Sequence, residues 1–362
     1  MSLRAPFPYF GGKSTVAEII WQRFGDVPNY VEPFFGSGAV LLARPHAPKT
    51  ETINDKDHFV ANFWRAVKHD PDAVAHWADW PVNEADLHAR HYWLVTEGAA
   101  RIAAIEGDPD VYDAQVAGWW VWGACAWIGS GWCSGRGPWQ WGASGWVKAG
   151  EAGGNAGRGI NRQLPHLGNA GRGINRQLPH LGDAGQGINR QLPHLGNAGR
   201  GQFVCDWLTA LADRLRDVRV CAGDWSRVCG PSVTQSMTRR NAMLTAVFLD
   251  PPYADTATRT DNLYSADCLS VAHDVRAWAI EQGRNPLMRI CLAGYEGEHE
   301  LPAEWVSVAW KAQGGFGNQC DDEDGFGRRN AARERLWFSP HCLKPEQRQS
   351  SLFDMLGVAD GQ

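Results

Sequence analysis

Met243-Leu244-Thr245-Ala246-Val247-Phe248-Leu249-Asp250-Pro251-Pro252-Tyr253 is the stretch that decides the fold. Its first part is a short, nearly unbroken apolar run without polar alternation. That pattern predicts a strand buried on both faces, as in the middle of a parallel sheet. Asp250-Pro251-Pro252 must end it, because prolines fix φ and offer no amide to a neighbouring strand. A parallel sheet needs helical crossovers, and the chain around this run supplies them. Tyr30-Val31-Glu32 reads as a strand, Pro33 to Gly38 as a tight loop and Ala39 to Ala43 as a helix. Thr50 to Asp55 reads as a second strand ending in an acid, followed by a helix from about Asp57 to Val67. Further on, Cys205–Leu215 and Ala272–Glu281 suit helices, and Asp217–Cys221 and Arg289–Ala293 suit strands. Trp305–Trp310 and Arg335–Phe338 suggest an antiparallel edge pair. Near the start, the Gly11-Gly12 turn leads into a helix-like stretch, Ser14 to Ile20. Ser14 or Thr15 is the candidate cap there, with Glu18 at capping-box distance from Thr15.

The two halves of this α/β pattern are separated by residues of another texture. Eleven of the 19 tryptophans lie between Trp77 and Trp146, eight of them from Trp119 onward. Helix is expected up to about Ile105, and the later part, Gly129 to Gly135, is too rich in glycine for a regular element. Trp119 and Trp120 are the expected core pair, with Trp139 and Trp141 more exposed; packing is favoured over a wedge into a ligand. Then GRGINRQLPHLGNA (157–170) recurs as GRGINRQLPHLGDA (171–184) and GQGINRQLPHLGNA (185–198). Ile, Leu and Leu are the only large apolar members of each 14-residue unit, too few for a solenoid core. A glycine-punctuated surface excursion is predicted. Residues 151–201 hold six arginines (Arg158, Arg162, Arg172, Arg176, Arg190, Arg200) against Glu151 and Asp183, a balance of +4 within a chain of net charge -5. A solvated loop and a contact to DNA phosphates both fit these forks. His166, His180 and His194 make no metal site, since nothing fixes the loops around one ion.

Bulk properties narrow the classes. With 44% apolar residues the chain can fill a core, and its acidic balance argues against a protein that coats nucleic acid through bulk charge. The amino terminus lacks a secretory pattern, and no stretch suits a membrane span. Nine scattered cysteines without a CxxC pair fit reduced thiols, so a cytoplasmic protein is expected.

Two constellations carry chemistry. In Glu32-Pro33-Phe34-Phe35-Gly36-Ser37-Gly38 the glycines let backbone approach a cofactor. The spacing is neither GxGxxG nor a phosphate loop. A nucleoside cofactor without phosphates suits such a turn, and Asp55, ending the next strand, suits ribose hydroxyls. In Asp250-Pro251-Pro252-Tyr253 two amide donors are missing. Free carbonyls and the Asp250 carboxylate then form an acceptor-only corner, complementary to an amino group, with the Tyr253 ring as a flat face.

These residues, in this order, resemble the DNA adenine methylase family (the D12 class, Dam-like). Tyr9-Phe10-Gly11-Gly12-Lys13 is similar to its amino-terminal motif, Glu32 to Val40 to its cofactor motif, and Ile53-Asn54-Asp55 to its second strand. Gly223-Asp224-Trp225 and Arg333 to Phe338 are similar to later motifs. The resemblance implies a Rossmann-like methyltransferase fold with a mixed seven-stranded sheet and an inserted recognition region. It divides the chain into a catalytic domain at 1–68 and 203–345, an insert at 69–202 and a tail at 346–362. It implies S-adenosylmethionine as cofactor, no metal, and double-stranded DNA as partner of a monomeric phage or prophage enzyme. Tyr9, Phe10, Gly12 and Lys13 would lie near the cofactor. Glu32, Pro33, Phe34, Gly36 and Gly38 would form its loop, with Phe34 and Gly36 walling the methionine part. Asp55 would take the ribose and Asp224 the adenine amino group, while Asp250, Pro251, Pro252 and Tyr253 would hold the target base. The alternatives are the same chemistry on cytosine N4 or an RNA base, and an idle DNA-binding or phage structural protein on this fold.

Overall fold

The apolar run forms β6 (Thr245–Leu249), buried along its whole length. It is the central strand of a seven-stranded sheet in the order β5 (Arg219–Ala222), β2 (Thr50–Asp55), β1 (Asn29–Glu32), β6, β7 (Met288–Tyr295), β9 (Glu334–Phe338), β8 (Val306–Ala309). The pairings from β5 to β7 are parallel, and β9 runs antiparallel to both its neighbours. This computed structural model describes residues 3–9, 12–127, 132–133, 139–142, 145–148, 202–235, 243–252, 268–310 and 333–344. Phe10, Tyr253, the repeats with Arg158, Arg162, Arg172, Arg176, Arg190 and Arg200, their three histidines, and the tail lie outside the described residues.

Side chains alternate across β6 and divide between two cores. Ala246 and Phe248 face one core with Trp21 and Phe24 of α1 (Ala17–Phe24), Phe63 and Trp64 of α3 (His58–His69), and Leu208 and Leu211 of α8 (Gln202–Leu215). Val247 and Leu249 face the other, with Val228 of α9 (Ser226–Cys229) and Val275 and Ala279 of α11 (Cys268–Gln282). A strand read from both sides has no polar position left, which is why its sequence is continuous. Fully burying one such side chain contributes roughly 1.5–3 kcal/mol.

Two expectations need correction. First, α1 is not capped by Ser14 or Thr15; Val16 occupies the cap position and no side chain caps it. The backbone carbonyl of buried Lys13 instead accepts the amides of Val16 and Ala17, at 3.0 and 2.9 Å. The expected antiparallel edge pair is present, with β8 paired to β9 at the edge of the sheet. Leu336 and Phe338 turn to one core and Trp337 to the other. Second, α7 (Ala114–Ala126) lies in the tryptophan-rich region, where no helix is predicted beyond Ile105. Its apolar residues surround it, so no amphipathic period marks it, and Asp113 caps it by accepting the Val116 amide. Gly118 permits the contact with α4 (Pro71–Ala78), for a Cβ there would overlap Trp77 and the Val74 carbonyl.

Between these helices, α5 (Glu84–Trp93) runs into a π-helical turn, Leu94–Gly98. Arg90 of α5 is buried with its guanidinium over the rings of Trp80, Trp119 and Trp122, at 5.0, 4.9 and 4.4 Å. Desolvation pushes its pKa down to about 10, so it stays charged at neutral pH. Trp120 is buried as expected, Trp119 is half-buried, and Trp122 and Trp127 lie deeper. The backbones of Trp139 and Trp141 belong to a hairpin of β3 (Trp139–Gly142) and β4 (Gly145–Lys148); their side chains lie outside the described residues.

One buried ion cluster ties the strand and helix layers together. Glu51 of β2, 1% exposed, receives Arg44 at 2.9 Å and two bonds from Arg214 of α8, at 2.6 and 2.8 Å. Removing the carboxylate strands two guanidiniums. Glu51→Ala is therefore expected to destabilise the protein by roughly 3–5 kcal/mol. Asp213→Ala, at an exposed pair with Arg216, should cost under about 1 kcal/mol. Urea unfolding of both variants checks this, and equal midpoints would refute it.

Candidate active site at the switch point of the sheet

Strand order reverses between β1 and β6, since the chain builds outward from β1 to β2 and β5 on one side and from β6 to β7 on the other. Ligands of open α/β sheets bind outside the carboxyl ends of strands at such a point. Four neighbouring strand ends carry expected site residues there: Asp224 after β5, Asp55 ending β2, Glu32 ending β1 and Asp250 after β6. At the usual strand spacing this row spans about 14 Å.

The loop from Pro33 to Gly38 is held open by its neighbours. Gly36 and Gly38 take φ values of 49° and 72°. The Tyr9 ring lies against Gly36, where a Cβ would stand 2.6 Å from it. The Gly36 amide donates to Asp55 Oδ2 at 2.8 Å, and its carbonyl accepts Trp64 Nε1–H at 2.8 Å. Asn54, buried beside Asp55, donates to the carbonyls of Pro33 (3.0 Å) and Gly223 (2.9 Å). It thus clasps the loops after β1 and β5 from the strand between them. Its Oδ1 is buried without a partner among the described residues. No role was assigned to Asn54 from sequence; its signal was an amide in the interior of an otherwise buried strand. Trp64 carried none beyond its helical position.

The acids differ in state. Burial pushes the Asp55 carboxyl up to about 7, with Asp57 adding to the rise and the amides of Gly36 and Asp57 opposing it. Each Asp55 oxygen accepts one backbone amide, from Gly36 or from Asp57, which leaves further lone pairs for a ligand. At exposed Asp224 burial opposes ionisation, yet bonds from the Ser226 hydroxyl (2.5 Å) and amide (3.0 Å) prevail and hold its carboxyl low. Between them stand the rings of Phe34 and Trp225, stacked with centroids 6.4 Å apart.

Across β1 lies the acceptor corner. Pro251 is buried and Pro252 half-buried. Asp250 Oδ2 is 2.9 Å from Lys13 Nζ, and Asp250 keeps 20% of its side chain exposed. Lys13, 3% exposed, also lies 3.7 Å from Glu334 of β9 and over the Trp310 ring at 5.4 Å. Lys13 is thus joined to the corner, while Tyr9 of the same segment sits on the glycine loop. Exposed Gly12 bridges them through its amide to the Tyr9 carbonyl, at 3.1 Å. Glu32 is buried, accepting the Tyr30 hydroxyl at 2.7 Å. Sequence gives Glu334 and Trp310 no role; Glu334 opens β9 between Arg333 and Arg335, where it reads as a surface acid.

A glycine loop, an acid on the next strand and a buried lysine on an acceptor corner now stand in one crevice. Residues 9–98 match the model of the family of D12 class N6 adenine-specific DNA methyltransferases. The match takes in Tyr9, Lys13, the glycine loop and Asp55, and ends before Asp224 and Asp250. It supports methyltransferase activity of that class, which uses S-adenosylmethionine. With the sheet order, it makes the fold a Rossmann-like methyltransferase fold carrying an insert. No curated protein matches the chain. Among the described residues, no group of three His, Cys, Asp or Glu side chains could hold a metal ion, and no helix is long and apolar enough to cross a membrane.

The loop geometry gives a direct test. Gly36→Ala is expected to cost at least about 1–2 kcal/mol for the left-handed backbone alone, and more from the collision with Tyr9. Adding Tyr9→Ala should relieve the collision and leave the backbone strain. Thermal unfolding of the single and double variants separates the two; strictly additive losses would mean that the ring is not the obstacle.

Proposed function

We propose that this chain is a DNA methyltransferase that methylates N6 of a flipped adenine at a specific site, with S-adenosylmethionine as donor. The observation that carries this reading is the Asp250 corner, a partly exposed carboxylate with no amide donor at its two prolines, one strand over from the glycine loop held by Asp55. The crevice suits the cofactor. Asp55 has lone pairs for ribose hydroxyls, Asp224 is an exposed acceptor for an amino group, and Tyr9, Phe34 and the loop from Glu32 through Pro33 to Gly38 offer walls to the remainder. S-adenosylmethionine supplies an activated methyl group when bound.

The chain supplies acceptors and position. An adenine amino nitrogen is a poor nucleophile because its lone pair is delocalised into the ring. Hydrogen bonds from it to Asp250 and to a carbonyl at Pro251 favour a pyramidal nitrogen aimed at the methyl group. No protein nucleophile is needed. The base must leave the duplex stack to reach this corner, and Tyr253 is assigned as its stacking partner. The catalytic domain is assigned to 1–68 and 203–345 and recognition to 69–202, with the six repeat arginines as phosphate contacts. A monomeric phage or prophage enzyme in a bacterial cytoplasm completes the reading.

Incubation of DNA with the protein and labelled cofactor, followed by nucleoside mass spectrometry, should yield N6-methyladenine. Label in N4-methylcytosine alone, or only in RNA, would overturn the assignment. Asp250→Ala should still bind cofactor and lose transfer at least about 100-fold.

Cofactor affinity should also depend on pH. Ribose hydroxyls donate, so they need the ionised Asp55, whose carboxyl titrates at about 7. Affinity for S-adenosylhomocysteine is thus full above that pH and falls as pH drops through it, by up to about tenfold between pH 8 and 6. Calorimetry of wild type and Asp55→Asn tests this; the variant should bind weakly and without that dependence.

A further inference from the structure

The corner holds more charge than the transfer step has so far used. Lys13 is buried between two acids, Asp250 at 2.9 Å and Glu334 at 3.7 Å. Both partners come from distant parts of the chain, one after β6 and one on β9. Glu334 is 5% exposed, deeper than the surface acids that form ordinary ion pairs.

Other titratable groups among the described residues face this cluster. On β1, burial raises the Glu32 carboxyl well above its usual range, with nearby Asp250 adding to the rise. Tyr30 is likewise raised by burial. On β7, burial raises the Cys291 thiol. Arg23 of α1 faces Cys291 from outside the cluster, where it donates to the Leu343 carbonyl and lies over the Phe338 ring. Among the described residues, the Lys13 ammonium is shared between the Asp250 and Glu334 carboxyl groups.

We propose that Glu334 is a positioning residue of the methyl-transfer step, sharing the Lys13 ammonium so that the lysine orients Asp250 while neutralising it less than it would as its sole partner. This rests on the adenine-methyltransferase reading. In that step the target nitrogen forms its bond to the methyl carbon with its own electron pair and takes on the positive charge released from the sulfonium. It then sheds one of its two protons to water. A neutral corner stabilises that developing positive charge less than a negative one does. Lys13 orients Asp250, and Glu334 keeps the lysine from fully neutralising it.

The test is steady-state kinetics across pH for wild type, Glu334→Gln, Glu334→Asp, Lys13→Met and the Lys13→Met/Glu334→Gln double variant, with cofactor binding measured on each. Glu334→Gln should lower kcat about tenfold or more while KM for cofactor and DNA changes little. The acid limb of its pH profile should move to lower pH, because a neighbouring negative charge is gone. Lys13→Met should move that limb to higher pH, and the double variant should bring it back toward wild type. Glu334→Asp should restore most of kcat. If Glu334→Gln does not fold, the comparison of Lys13→Met with the double variant still reads the charge of Glu334. A kcat and acid limb unmoved by loss of Glu334 would overturn the proposal and leave the functional reading standing. Wild-type protein that methylates no adenine would overturn that reading and the proposal with it.

Discussion

The buried ammonium of Lys13 constrains much of the rest. An unpaired charge in a protein interior is costly enough that it must find a partner. Here the partners lie after β6 and on β9, so the amino-terminal segment has to cross the carboxyl edge of the sheet. That crossing has local consequences. The Lys13 carbonyl starts α1, and the Gly12 amide turns the segment back on the Tyr9 carbonyl. Tyr9 is thereby set on Gly36, and the glycine loop and the acceptor corner share one short support.

The region between the two halves of the sheet also reaches the site. Phe7 packs edge-on against Trp120 of α7 at 4.9 Å and Phe63 at 5.3 Å, and lies 6.2 Å from Trp64. Trp64 in turn holds the Gly36 carbonyl. Helices α4 and α7 belong to the same hydrophobic core as α3 and α8. On the exposed side, Arg65 donates to the carbonyls of Ile105, Asp108 and Val111, and Glu106 pairs with His58 at 2.8 Å beside the β2 carboxyl end. The described part of the insert is thus continuous with the wall behind the glycine loop, and a change of packing at Trp120 has a short route to Gly36.

Much of this was legible in the chain itself. The strand at 245–249 follows from an apolar run with a clear stop, and Asp55 and Asp250 stand at the carboxyl ends of β2 and β6. The glycines of the loop were read as allowing close backbone approach, and in the structure Gly36 and Gly38 also take positive φ. Less visible was α7, because a helix buried on all sides leaves no period to read. The α1 cap misled, since Ser14 and Thr15 have the right chemistry but Lys13 had already fixed the turn. Asn54 and Glu334 were overlooked because their partners lie in other segments, and spacing in one segment carries no trace of them.

The sequence by itself determined which strands are central, where they stop, and which residue types stand at their carboxyl ends, because burial on both faces and the loss of amide donors are local properties of a run. The tertiary structure alone decided that Asn54 would clasp two loops and that Lys13 would stand between Asp250 and Glu334. Those facts depend on strand order and on the desolvation of a charge. Both arise only when segments far apart in the chain exclude water together.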